Sequence, residues 1–268
     1  MNTQGNLYTF MYAGAMVVVV AAILSFTAVK LQPIQEKNIR IEKIQSILSS
    51  VGIESTVDNA EGFYDEYITE DFIVNSSGEK IEGKKGFNIK LKPEVDLMFE
   101  LKKLRSGLKK LVGAEKGEAE ARIAEIQNER NLPVYTCRKG DSEYAIIPVR
   151  GKGLWGPLWG YVSLNKDYNT IFGVVFDHKG ETPGLGSDIN KDWFQDPFKG
   201  KKLFDKNGSF KGITVYKGGK GSAANAGDLI HGVDAISGGT ITSKGLEDML
   251  FDCLSAYEPY LKKQIENK

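Results

Sequence analysis

The sequence predicts an α+β protein, with one N-terminal membrane-spanning helix followed by a soluble domain built on a mixed, largely antiparallel sheet with helices packed on it. Three observations predict this. Residues 1–29 carry no charged side chain and 7–29 are predominantly apolar, and about 20 such residues span a bilayer as a helix. Residues 144–149, 158–164 and 170–176 are short runs rich in β-branched and aromatic residues, the texture of strands. Near the C-terminus Leu246, Leu250, Cys253, Leu254 and Tyr257 recur at helical spacing.

Composition narrows the function classes. The 268 residues suffice for one substantial core or two small ones. Thirty-five Lys and Arg are balanced by thirty-five Asp and Glu with no long basic stripe, which argues against nucleic acid as a partner. With His178 and His231 the only histidines, a His-rich metal site is excluded. Cys137 and Cys253 fit neither a CxxC nor a zinc pattern; they are free buried thiols or one disulfide, and the place of Cys253 on an apolar helical face favours free thiols.

In chain order, residues 1–6 form a tail and 7–29 the membrane helix, with Tyr8, Phe10 and Tyr12 as interfacial aromatics. A cleaved signal peptide is the competing reading, weakened by the missing basic n-region, the length of the apolar run and the lack of an Ala-x-Ala site. Lys30, Lys37, Arg40 and Lys43 follow the helix, so charge alone places the large domain in the cytoplasm. Residues 30–52 read as an amphipathic linker helix with Ile41, Ile44, Leu48 and Val51 on one face and Gly52 ending it. The soluble domain spans 53–268. Within it, 64–92 reads as short strands separated by turns at 75–78 and 83–86. Residues 94–130, dense in Lys and Glu, read as an inserted, solvated helical pair, with Leu101, Leu104, Leu108 and Leu111 at helical intervals.

Three stretches carry the chemistry. Residues 151–161, Gly-Lys-Gly-Leu-Trp-Gly-Pro-Leu-Trp-Gly-Tyr, make a stiff turn in which Trp155 can wall a flat pocket, although Trp in such a turn is more often core. Residues 177–186 form a rigid loop offering Glu181, Thr182 and Leu185; Glu181 with His178 is too small a set for a metal or acid/base site. Residues 234–243 crowd Ser237, Thr240 and Thr242 around Gly238 and Gly239, and the helix beginning there, with Thr242 or Ser243 as N-cap, favours a phosphate. Taken alone, such a turn is more often an ordinary capped loop than a ligand site.

Asp234-x-x-Ser237-Gly238-Gly239-Thr240 resembles the flavinylation motif of the FMN-binding domain family, Asp-x-x-(Ser/Thr)-Gly-Ala-(Thr/Ser). Gly239 stands where that family usually has Ala. With the paired-tryptophan turn, the Glu-Thr-Pro-Gly-Leu-Gly loop and the single N-terminal helix, the whole resembles the C subunits of sodium-translocating NADH:quinone reductases. The related G subunits of Rnf-type ferredoxin:NAD oxidoreductases share the helix and the flavin turn and are the alternative. The resemblance implies one FMN per chain, esterified through its phosphate to Thr240. It implies a binding site drawn from Asp234, Ser237, Gly238, Gly239, Thr242, Trp155, Glu181, Thr182 and Leu185, with no catalytic residue of the chain's own. It further implies electron relay inside a membrane complex with other subunits and quinone as acceptor. An FMN transferase would attach the flavin during maturation, and the domain would lie on the periplasmic side of the inner membrane, against the charge rule.

Two other classes remain distinct. A hydrolase would use Ser237 with His178 or His231, but Gly-x-Ser-x-Gly is absent and Ser106-x-x-Lys109 stands in a charged helical stretch without companion motifs. A flavin-free, membrane-anchored binding module would carry no covalent flavin.

Overall fold

The structure is a computed structural model that describes residues 5–219 and 226–267; residues 1–4 of the expected tail lie outside the described residues. The apolar run and the amphipathic stretch after it form one helix, α1 (Asn6–Ser49), continuous through Pro33. Among the described residues it is the helix long and apolar enough to cross a membrane. Gly52, at φ +68°, closes it. There the Ile53 N–H donates to Leu48 O at 3.0 Å and the Gly52 N–H to Ser49 O at 2.9 Å, the paired closure that satisfies the last helical carbonyls. The chain divides into two compact units, Met1–Ile44 and Gln45–Lys268.

The second unit holds the sheet. Its strands are β1 (Ile68–Val74), β2 (Lys80–Ile81), β3 (Leu132–Lys139), β4 (Ser142–Lys152), β5 (Pro157–Leu164) and β6 (Ile171–His178). They run in the order β2-β1-β3-β4-β5-β6 with every neighbour antiparallel. A short parallel pair, β7 (Thr214–Tyr216) and β8 (Gly232–Asp234), makes the architecture mixed. The expected runs at 144–149 and 158–164 lie within β4 and β5, and that at 170–176 falls on β6. Residues 64–92 differ in part: Tyr64–Tyr67 end the helix α2 (Ala60–Tyr67), and beyond Ile81 the chain turns through Gly83 without a further strand. Phe63 and Tyr67 are one helical turn apart with rings 5.9 Å between centroids. Over so few residues, an aromatic pair at that spacing suits a helix as well as a strand.

The middle strands are buried on both faces. One face meets α6 (Thr240–Leu254), whose Leu246, Met249, Leu250, Cys253 and Leu254 share a core with Ile147, Val149 and Val162. On the other, Ser163 Oγ donates to Ser50 O at 2.5 Å, and Gly173 leaves room for that approach because a Cβ there would fall 2.5 Å from the same oxygen. The charged region is a helical hairpin as expected, α3 (Leu91–Gly107) and α4 (Gly113–Glu129), which buries Met98, Leu101, Ala119 and Ile126. The short helix α5 (Asp192–Gln195) lies between β6 and β7, and α7 (Glu258–Glu266) follows α6. Both cysteines are free and buried, and burial pushes each thiol up to about 11.

Seating α6 on β4 requires two glycines. A Cβ on Gly245 would collide with Lys152 O, and one on Gly151 would lie 2.6 Å from Met249 Cβ. Alanine in a helix interior is otherwise favoured over glycine by roughly 0.5–1 kcal/mol. Gly245→Ala is therefore expected to lower stability by about 1–3 kcal/mol in urea unfolding, through overpacking; a gain would show that helix and strand do not touch there. At pH 8 a thiol titrating near 11 is thiolate in roughly one molecule in a thousand. Ellman's reagent should label neither cysteine before unfolding, and rapid labelling of the native chain would contradict the burial.

Candidate functional site

The three stretches singled out from the sequence come together at the N-terminal end of α6. The 153–156 hairpin tip joins β4 to β5, the 179–186 loop leaves β6, and the 235–239 turn leads from β8 into α6. The joint between them is Glu181, which is 4% exposed. Its Oε1 accepts the Trp155 backbone N–H at 2.8 Å and its Oε2 accepts the Thr242 hydroxyl at 2.5 Å. Three glycines make room for this arrangement. A Cβ on Gly153 would lie 2.6 Å from Glu181 Oε1, one on Gly186 would collide with Thr242 Oγ1, and one on Gly238 would lie 2.6 Å from Leu185 Cδ2.

The turn itself is tight. Gly238 takes φ +75°, and the Gly239 N–H donates to Ile236 O at 3.0 Å. Gly239 is buried, and a Cβ there would press within 3.1 Å of Ile236 Cγ2 and 3.2 Å of Gly186 N, so an alanine at this place of the motif requires these neighbours to give slightly. The N-cap expected at Thr242 or Ser243 falls instead on Gly239, and Thr240 is the first residue of α6. Thr242 and Ser243 lie inside the first turn. The Ser243 hydroxyl accepts the Ile236 N–H at 3.1 Å, and its N–H closes the first helical bond on Gly239 O at 2.9 Å. The amides of Thr240, Ile241 and Thr242 precede that bond and so lack an acceptor within the helix.

The candidate residues therefore divide by direction. Asp234, Ser237, Gly238, Thr240 and Thr182 are exposed; Gly239, Thr242 and Glu181 are buried and hold the turn in place. Trp155 is 70% exposed and Leu185 40%. Leu154 and Ile241, which sequence reasoning missed, add further exposed apolar surface. No periodic signal marks them, since each is a single apolar residue on a loop or a helix start. The nucleophile reading finds no partner. Among the described residues Ser237 forms no bond to histidine: His178 Nδ1 accepts the Glu181 N–H at 3.1 Å, and His231 Nδ1 sits 2.6 Å from Lys202 O. No metal-holding group of His, Cys, Asp and Glu occurs among the described residues.

Comparison with known proteins identifies the domain that holds these segments. The profile of the FMN-binding domain family matches residues 153–255, which run from the hairpin tip through the end of α6. The C subunit of the Na(+)-translocating NADH-quinone reductase of Neisseria meningitidis serogroup A is 32% identical, over 94% of each chain. This chain belongs to that C-subunit family. Another member, from Vibrio parahaemolyticus, is 34% identical over 85% of this chain and 83% of its own. Among solved structures, the C subunit from Parabacteroides distasonis superposes with a TM-score of 0.66 at 38% identity, covering 86% of this chain and 96% of its own. Shewanella oneidensis NqrC gives 0.58 at 25% identity, covering 84% of this chain and 99% of its own. The fold of these solved C subunits is thus the α+β arrangement expected from the sequence.

Thr242→Val should cost about 1–3 kcal/mol, because it keeps the shape of the side chain but leaves a buried Glu181 oxygen without its donor. Urea unfolding of Thr242→Val, of Glu181→Gln and of the double variant measures the coupling. Strict additivity would mean that the two groups do not interact.

Proposed function

We propose that this chain holds one FMN esterified to the Thr240 hydroxyl and relays electrons within a membrane-bound, sodium-translocating NADH:quinone reductase. The observation that carries this reading is the exposed Thr240 hydroxyl residue at the first position of α6, presented by the Gly238–Gly239 bend. The site suits the group on two counts. A phosphodiester keeps one negative charge, and the amides of Thr240, Ile241 and Thr242 with the positive end of the helix dipole stabilise a charge placed there. The exposed apolar side chains of Trp155, Leu185, Leu154 and Ile241 offer flat contact to a ring system.

The bound flavin supplies the redox chemistry. The chain's own residues position it. Glu181, clamped to Trp155 and Thr242, holds the loop bearing Thr182 and Leu185 beside the turn. Leu185 packs over Gly238, so the loop and the attachment turn move together. Asp234 and Ser237 flank the threonine as exposed polar groups, accessible to the transferase that forms the ester. Covalent attachment keeps the site filled whatever the free FMN concentration. That suits a domain on the periplasmic side of the inner membrane, the orientation we infer, anchored by α1 despite Lys30, Lys37, Arg40 and Lys43 behind the apolar run. Its neighbours there are the other subunits of the complex.

Chain purified from native membranes should show flavin fluorescence that survives denaturing electrophoresis, persists in Thr240→Ser and disappears in Thr240→Ala. Fluorescence retained by Thr240→Ala would move the attachment elsewhere. Its absence from the wild-type chain would favour the flavin-free binding module.

A further inference from the structure

Beyond the flavin turn, a cavity of about 460 Å³ opens between the α3–α4 hairpin and the α6–α7 corner. That volume is within the usual range of small-molecule sites, roughly 300–1,000 Å³. Phe251, which lines it, is eleven residues along α6 from Thr240, about 16 Å at 1.5 Å per residue, so the cavity is a separate place on the molecule.

Arg130 lines this cavity at the end of α4. It is 8% exposed, and its Nε is buried without a hydrogen-bond partner among the described residues. A buried guanidinium N–H left without an acceptor is costly. Glu94 acts on Arg130 electrostatically while its Oε2 accepts the Asn131 N–H at 3.1 Å; burial is the largest influence on its carboxyl and raises it above the usual range. Of the two carboxylates in the lining, Asp252 pairs with Lys102 at 2.8 Å and Glu258 with Lys262 at 2.8 Å. Arg105 adds a second guanidinium, and Met98, Leu101 and Phe251 supply an apolar side.

We propose that this cavity binds a small organic anion, its carboxylate or phosphate gripped by Arg130 and Arg105 and its apolar body laid against Phe251. Guanidinium forks match the planar spacing of carboxylate and phosphate oxygens, and two of them line this one cavity while Asp252 and Glu258 are each paired with a lysine. The anion adds a second negative partner to Arg130 beside Glu94.

The test is a calorimetric and thermal-shift titration of the full chain in detergent with sodium benzoate and with inorganic phosphate, using benzyl alcohol and ionic-strength-matched sodium chloride as controls. Saturable binding of benzoate or phosphate, weakened tenfold or more in both Arg105→Gln and Arg130→Met, is the expected result. The arm that saturates identifies the head group as carboxylate or phosphate. Arg105 is exposed, so Arg105→Gln decides the question even if Arg130→Met fails to fold. Lack of saturation by either anion, wild-type affinity in Arg105→Gln, or an equal response to chloride would overturn the proposal.

Discussion

The site depends on one buried carboxylate. Glu181 ties the hairpin tip to the α6 helix by accepting from the Trp155 amide and the Thr242 hydroxyl at once. A carboxylate at 4% exposure is tolerable only where its oxygens are hydrogen-bonded, and here both are. Gly153 and Gly186 are the consequence, since a Cβ at either would crowd Glu181 or the Thr242 hydroxyl it holds. Three segments far apart in the chain thus meet at a single polar joint, and the bend that presents Thr240 is fixed by it.

That joint separates what is held from what is offered. Thr242, Ser243 and Gly239 face inward and close the first turn of α6. Thr240, Ser237 and the apolar side chains of Trp155 and Leu185 face outward. A frame of this kind with an open rim suits the carrier role proposed above, in which a cofactor would be fixed in position yet close to partners that exchange electrons with it, because the protein's contribution to such chemistry is placement and electrostatics.

Much of this was legible in the sequence. Strands β4, β5 and β6 follow from runs rich in β-branched and aromatic residues, which a sheet buried on both faces demands, and the buried stripe of α6 follows from helical spacing. The glycines marked the bends, since only a residue without Cβ fits where backbones meet. What could not be read was direction. Glu181 and Thr242 looked like ligand handles but are partners to each other, a contact across sixty-one residues of chain that no local pattern encodes. The helix start was displaced for the same reason: Ser243 spends its hydroxyl on Ile236 N–H, a tertiary demand that capping preference does not include. Residues 64–67 went to a helix because four aromatic and acidic residues hold too little pattern to decide between periods.

Peptide mass mapping of the chain isolated from native membranes tests the central claim most directly. The account predicts a single peptide bearing the mass of FMN less water, with fragmentation placing it on Thr240. An unmodified Thr240, or the same added mass on Ser237 or Thr242, would contradict it.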